Sequence, residues 1–247
     1  MSKSLARMTA RSLVLSVLLG AHPAWASASE LIRITADFGI KETALRVALT
    51  RMVSAGDLVR SADGYRLSDR LLARQRRQDE AMRPPVRAWH GYWHMIVVIS
   101  VGDDARTRAA LRNTLQEKRF GELREGVWLR PDNLDLELAP DMRARVRVLT
   151  TRDEAPAELA ARLWDLPEWV DAGQHLLDEM AQLTQAADIP GRFVVAAAMV
   201  RQLLTDPMLP AELLPAHWPG TRLREAYHDF ATELAKRLDT SQLLEAT

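Results

Sequence analysis

Residues 29–67 read SELIRITADFGIKETALRVALTRMVSAGDLVRSADGYRL. No other stretch constrains the fold as much. Ser27 or Ser29 can cap a helix that runs to Phe38, with Leu31, Ile32 and Thr35 on one side. Gly39 follows, a residue that takes a left-handed conformation at no steric cost. Beyond it, Leu45, Ala48, Leu49 and Met52 recur at i, i+3, i+4 and i+7, the stripe of a helix that faces a core. Thr43, Arg46, Val47 and Thr50 fall on the other side, and Gly56 ends the helix. Leu58-Val59-Arg60 and Tyr65-Arg66-Leu67 then flank Asp63-Gly64, a strong hairpin signal.

Two helices and a hairpin leave apolar faces wet unless a third helix covers them. The stretch Thr9–Leu19 supplies one, with Leu13, Val14, Val17 and Leu18 at helical spacing and His22-Pro23 beyond its end. The same residues also have the layout of a secretory signal peptide. Lys3, Arg7 and Arg11 precede a short apolar run, and small residues follow around Ala24-Trp25-Ala26. The downstream pattern favours the helix. The order helix, helix, turn, helix, hairpin predicts a winged helix-turn-helix over residues 1–70.

Residues 71–88 read as a basic linker, in which Leu71 and Leu72 extend a helix and Pro84-Pro85 closes it. Residues 89–163 alternate strand and helix signals. Met95–Val101 reads as a buried strand, 106–118 as a helix behind Asp103-Asp104, and Phe120–Leu129 as one bent strand. Arg145–Leu149 reads as a strand and Asp153–Leu163 as a helix. That order suggests a ferredoxin-like α/β sandwich. Residues 164–247 read as helical: Val170–Ala187 amphipathic, Phe193–Leu204 buried, a proline-punctuated stretch around Pro207–Pro219, and a last helix over Thr221–Leu238. The expected class is therefore α+β.

Composition narrows the function. The chain has no cysteine, which excludes disulfides and thiolate metal sites and fits a reducing compartment. No apolar run approaches the roughly 20 residues that span a bilayer, so no membrane partner is expected. The net charge of zero hides a split: residues 1–88 hold 15 basic and 8 acidic side chains, whereas the remainder holds 18 and 25. A basic N-terminal part beside an acidic body points to a polyanion at one end only. The six histidines form no H-x-x-x-H ligand pair on one helix face, and there is no P-loop, Rossmann or G-x-S-x-G motif, so neither cofactor nor metal is expected.

Several strings occur in one order: ARSLVLSVLLG, FGIKETALRVALTRMVSAG, DGYRLS, WHGYW, FGELREGVWLRP and LLTDPMLPAELLPAHWPG. Over essentially its whole length the chain resembles the PaaX family, the transcriptional repressors of phenylacetate degradation. The resemblance implies an N-terminal winged helix, a central ferredoxin-like domain similar to that of small CRISPR-associated nucleases, and a C-terminal helical domain. It also implies a bacterial cytoplasmic regulator rather than an enzyme. Such a regulator binds double-stranded operator DNA as a homodimer and is released by an aromatic acyl-CoA thioester such as phenylacetyl-CoA.

Candidate residues follow. Arg46, on the outer face of the third helix, is suited to guanine O6/N7 or to phosphate. Lys41, Thr43 and Thr50 share that face, Arg51 reaches for phosphate, and Arg60 and Arg66 flank the wing turn. Glu42 is expected to act as a helix-start residue. For the effector, Trp89 and Trp93, beside Tyr92, either pin two parts of the chain together or line an aryl pocket; Trp128 shares that ambiguity. Arg192 and Arg201 are the cations that could meet phosphates. The alternative from a different class is a metal-dependent nuclease built on Asp103-Asp104, against which stands the simpler role of these residues as a helix cap.

Overall fold

The computed structural model describes residues 9–183 and 189–245. Lys3 and Arg7 of the basic leader pattern, and Ala187 at the end of one expected helix, lie outside the described residues. The architecture is α+β, with two antiparallel sheets. The chain forms two compact units: residues 1–83, 173–204 and 220–247 make the first, and 84–172 with 205–219 the second. Among the described residues no helix is long and apolar enough to cross a membrane.

The first unit begins with α1 (Ala10–Gly20), capped by the Thr9 hydroxyl, which accepts from the Ser12 backbone N–H. Leu13, Val14 and Leu18 are fully buried. The small residues after it form β1 (Trp25–Ser27), a strand the sequence does not announce. Helix α2 (Ala28–Ala36) starts at a capping box: the Glu30 N–H donates to Ser27 Oγ and the Ser27 N–H to Glu30 Oε2. Gly39, at φ 68°, turns the chain into α3 (Glu42–Ser54). Strands β2 (Leu58–Arg60) and β3 (Gly64–Leu67) form the hairpin, and β1 pairs with the free edge of β3 to give the order β1-β3-β2. Gly64 is dictated by this pairing, because a Cβ there would sit 2.3 Å from the Ala26 carbonyl oxygen.

The basic segment expected as a linker is largely a helix, α4 (Asp69–Met82). Leu71, Gln75, Gln78 and Ala81 lie at i, i+4, i+7 and i+10 and are buried. The polar identity of two of them hides the stripe from a hydrophobicity count. Gln75 is buried because its amide donates to the carbonyls of Leu18, Leu19 and Ala21 at the end of α1. The core therefore contains Val14, Leu18, Leu31, Leu45, Leu49, Met52, Leu58, Leu67 and Leu71. On another side of α1, Leu13 meets Phe193 and Ala196 of α9 (Ile189–Leu203) and Phe230 of α10 (Gly220–Glu245).

The second unit holds β4 (Trp93–Val98), α5 (Ala105–Glu117), β5 (Gly121–Arg124), β6 (Val127–Pro131), the one-turn α6 (Pro140–Arg143), β7 (Val146–Thr151) and α7 (Pro156–Leu163). The sheet order is β5-β6-β4-β7, antiparallel throughout. The stretch expected as one bent strand is a hairpin, because Gly126 takes φ 76° and reverses the chain. The sheet is covered on both faces. Trp93, Val127 and Leu129 pack with Leu159 of α7, while Ile96, Trp128 and Val146 pack with Leu111 and Leu115 of α5. The proline-rich stretch joins the first face through Leu209 and Leu213. Its bend is held by Asp206 Oδ1, which accepts from the Met208 N–H, and by Asn133, which donates to the Met208 carbonyl. Helix α8 (Leu166–Gln182) contributes residues to both units.

Candidate nucleic-acid interface

Helix α3 has two faces of opposite character. Leu45, Leu49 and Met52 are at most 2% exposed and fix its inner side. Lys41, Thr43, Arg46, Val47, Thr50 and Arg51 are all exposed. The entry is set by the turn before it, where Gly39 donates to the Ala36 carbonyl and Ile40 to that of Thr35. Thr35 is buried, its hydroxyl donating back to the Leu31 carbonyl at 2.7 Å. A helix so locked on one side presents the other as a fixed array.

On that array Arg46 donates through Nε and Nη2 to Glu42 Oε1, at 2.8 and 2.6 Å. Glu42 thus holds an arginine one turn on, instead of acting only on the helix start; Lys41 is the N-cap residue and makes no side-chain cap bond. The pair is exposed on both sides, so water competes for it and its net strength is small. Thr50 spends its hydroxyl proton on the Arg46 carbonyl.

The three-stranded sheet carries Arg60 opposite Tyr65, and Arg66 between Val59 and Trp25. Both arginines are exposed. Trp25 is also exposed, and its indole N–H reaches Ser61 Oγ in the turn region at 3.3 Å. Sequence reasoning missed Trp25 because it lies in a stretch without periodicity. Behind this surface Asp57 is 2% exposed and accepts from Arg11 at 2.8 Å and Arg70 at 2.5 Å. One buried carboxylate therefore ties the start of α1, the end of α3 and the start of α4 together. The only signal for it in the sequence is an aspartate after Gly56.

The effector candidates are divided between the two units. Trp93 is fully buried and meets Trp89 edge-to-face at 6.0 Å, on one face of the four-stranded sheet. Trp128 lies on the other face, under the guanidinium of Arg112. Arg192 and Arg201 lie on α9 in the first unit; Arg192 pairs with Glu233 at 2.7 Å, whereas Arg201 is exposed. Asp103 is bound to Ser100 and Arg145, and these bonds hold its carboxyl below the usual range. Asp104 caps α5 by accepting from the Thr107 N–H at 2.7 Å, with the same effect on its own carboxyl. Among the described residues no cluster of three acids or histidines is set to hold a metal ion.

Three family descriptions match the chain in sequence: "PaaX-like protein" over residues 9–71, "PaaX protein central Cas2-like domain" over 86–159, and "PaaX-like protein C-terminal domain" over 164–241. The protein "Transcriptional repressor PaaX" of Escherichia coli (strain K12) is 31% identical over 218 residues, covering 76% of this chain and 67% of its own length. A solved structure, of the uncharacterized protein Rv0674 from Mycobacterium tuberculosis, is 76% identical. It superposes with a TM-score of 0.84 over 95% of this chain and 99% of that one.

Proposed function

The chain belongs to the PaaX family, and from that premise we propose that it is a ligand-responsive transcriptional repressor. In this reading it binds operator DNA as a homodimer in the bacterial cytoplasm and is released by an aromatic acyl-CoA of the phenylacetyl-CoA type. The observation that carries the DNA-binding part is α3: its inner face is locked in the core, and every candidate on its outer face is exposed. Residues up to about 70 act as a winged helix-turn-helix, with α3 in the major groove and the β2–β3 hairpin against backbone or minor groove. The strand order of the second sheet supports a ferredoxin-like reading of the central part.

On DNA, Arg46 exchanges the exposed Glu42 carboxylate for a guanine edge or a phosphate, which costs little because the pair is solvated. Val47 stands 51% exposed among polar neighbours, a placement suited to a thymine methyl group. Arg51, Arg60 and Arg66 hold phosphate, giving an affinity that falls with salt. For the homodimer, β7 offers an edge strand with Val148 and Leu149 exposed.

The test is fluorescence anisotropy on the intergenic DNA upstream of the protein's own gene, titrated with phenylacetyl-CoA, phenylacetate and CoA. Sequence-selective binding relieved by the thioester alone is the expected result. Binding no tighter than to unrelated DNA at the same salt would overturn the repressor reading, and relief by none of the three would overturn the effector assignment.

A further inference from the structure

Inside the first unit, α1, α4, α9 and α10 leave a cavity of about 260 Å³. Its walls are largely apolar, with Val17 and Leu19 of α1, Phe193 and Ala197 of α9, and Phe230 of α10 among them. Two guanidinium groups border it, Arg74 of α4 and Arg201 of α9, and no carboxylate does. Both arginines are exposed, and among the described residues neither has an ion-pair partner. The contrast lies on the same helix, where Arg192 is neutralised by Glu233. The remaining polar lining includes Gln78 and Tyr227, which hydrogen-bond each other; burial pushes the Tyr227 hydroxyl pKa up.

An apolar hollow bordered by two uncompensated cations selects an apolar body that carries an anion. Size narrows the choice. A dry cavity of about 150 Å³ lined by aliphatic and aromatic side chains holds benzene. The space here therefore suits a ring with a short substituent and leaves no room for a nucleotide. We propose that this cavity is the effector site. It takes the aryl or short acyl end of an anionic small molecule, while Arg74 and Arg201 bind the anionic part. A free aryl carboxylate and an aryl acyl-CoA share that chemistry, the second keeping its nucleotide outside the cavity.

The position also supplies the coupling to DNA. Ser16, Val17 and Leu19 of α1 line the cavity, while Leu15 and Leu18 of the same helix pack with Leu45 and Leu49 of α3. Helix α4 provides Arg74 and Gln78 to the cavity, and between them Gln75 holds the carbonyls at the end of α1. A ligand that fits best when α1 or α4 shifts favours an arrangement in which α3 is displaced, and binding of DNA and ligand become mutually unfavourable. The inference rests on the repressor reading for its regulatory meaning, but the site itself does not depend on it.

The experiment is calorimetric titration of the full chain with phenylacetate, phenylacetyl-CoA and CoA, with DNA affinity and melting temperature measured in parallel. Two variants are compared: Ala197→Phe, which fills the cavity, and Arg201→Glu, which reverses an exposed charge and keeps the test open should the first not fold. The expected result is that phenylacetate or its thioester binds the parent, and binds the folded variants at least tenfold more weakly. Binding by the free acid alone assigns the carboxylate as ligand; binding by the thioester alone assigns the acyl-CoA. Unchanged binding in the folded variants, CoA binding as tightly as its thioester, or no probe binding to a parent that holds DNA would each overturn the cavity assignment. A parent that binds a probe through the cavity and does not hold its DNA would overturn the repressor reading and leave the site standing.

Discussion

Arg46 of α3 and Arg130 of β6 are the same residue put to opposite uses. Arg46 is exposed and leans on an exposed glutamate one turn away. Arg130 is 3% exposed and donates to the carbonyls of Lys118, Leu134 and Asp135, with its guanidinium 5.0 Å from the centre of the Phe120 ring. Burial brings its pKa down to about 10, still far above neutrality, so it stays charged. A cation committed to buried carbonyls stabilises the unit around it and is not available to a ligand. One held by a solvated carboxylate can be given up at little cost.

The largest effect should come from the buried member. Arg130→Met removes the donors to three carbonyls and should destabilise the protein by about 3 kcal/mol or more. Chemical denaturation would read this as a shift in midpoint, and an unshifted midpoint would mean that water replaces the guanidinium without loss. Arg46→Ala should leave the melting temperature nearly unchanged and weaken specific DNA binding by about 1–3 kcal/mol. Equal affinity in anisotropy would show that another face of α3 reads the DNA.

A smaller effect is expected from pH. His94 pairs with Asp132 at 2.9 Å, but burial, the larger influence, holds its pKa below the ordinary 6.5. The folded state therefore binds fewer protons than the unfolded one as pH falls below 6.5, and stability declines through that window. Melting curves between pH 7.5 and 5.5 should show the loss, and His94→Gln should flatten it. The smallest change is Glu42→Gln, within about 0.5 kcal/mol in stability. It should tighten DNA binding severalfold, since it removes a negative charge from the face proposed to meet phosphate; weaker binding would mean that Glu42 orients Arg46.

Much of the region around α3 was legible because its rules are local. The Leu45, Leu49, Met52 stripe, the Gly39 turn and the Asp63-Gly64 hairpin each lie within a few residues of their cause. The surroundings of the effector candidates were not legible for the opposite reason. Tryptophans look alike in a sequence whether they fill a core or line a pocket, and Trp93 and Trp128 turned out to lie on opposite faces of one sheet. Of the two arginines read on α9, a glutamate 41 residues away occupies one and leaves the other open. No spacing rule reaches that far.

The sequence by itself determined the helices α1, α2 and α3 and the Asp63-Gly64 hairpin, which side of α3 faces inward, and that the N-terminal part is basic. These follow from side-chain periodicity, turn residues and charge, all of which act between near neighbours. The tertiary structure alone decided that the basic stretch after residue 68 folds as α4, that Trp25–Ser27 completes a sheet, and that α9 and α10 pack against α1. Each depends on a distant partner: α1 carbonyls for Gln75, the close approach of Ala26 for Gly64, and Phe193 with Phe230 for Leu13. Such pairings are selected by packing and by satisfying buried polar groups across the whole chain, and no short window of sequence contains both halves of them.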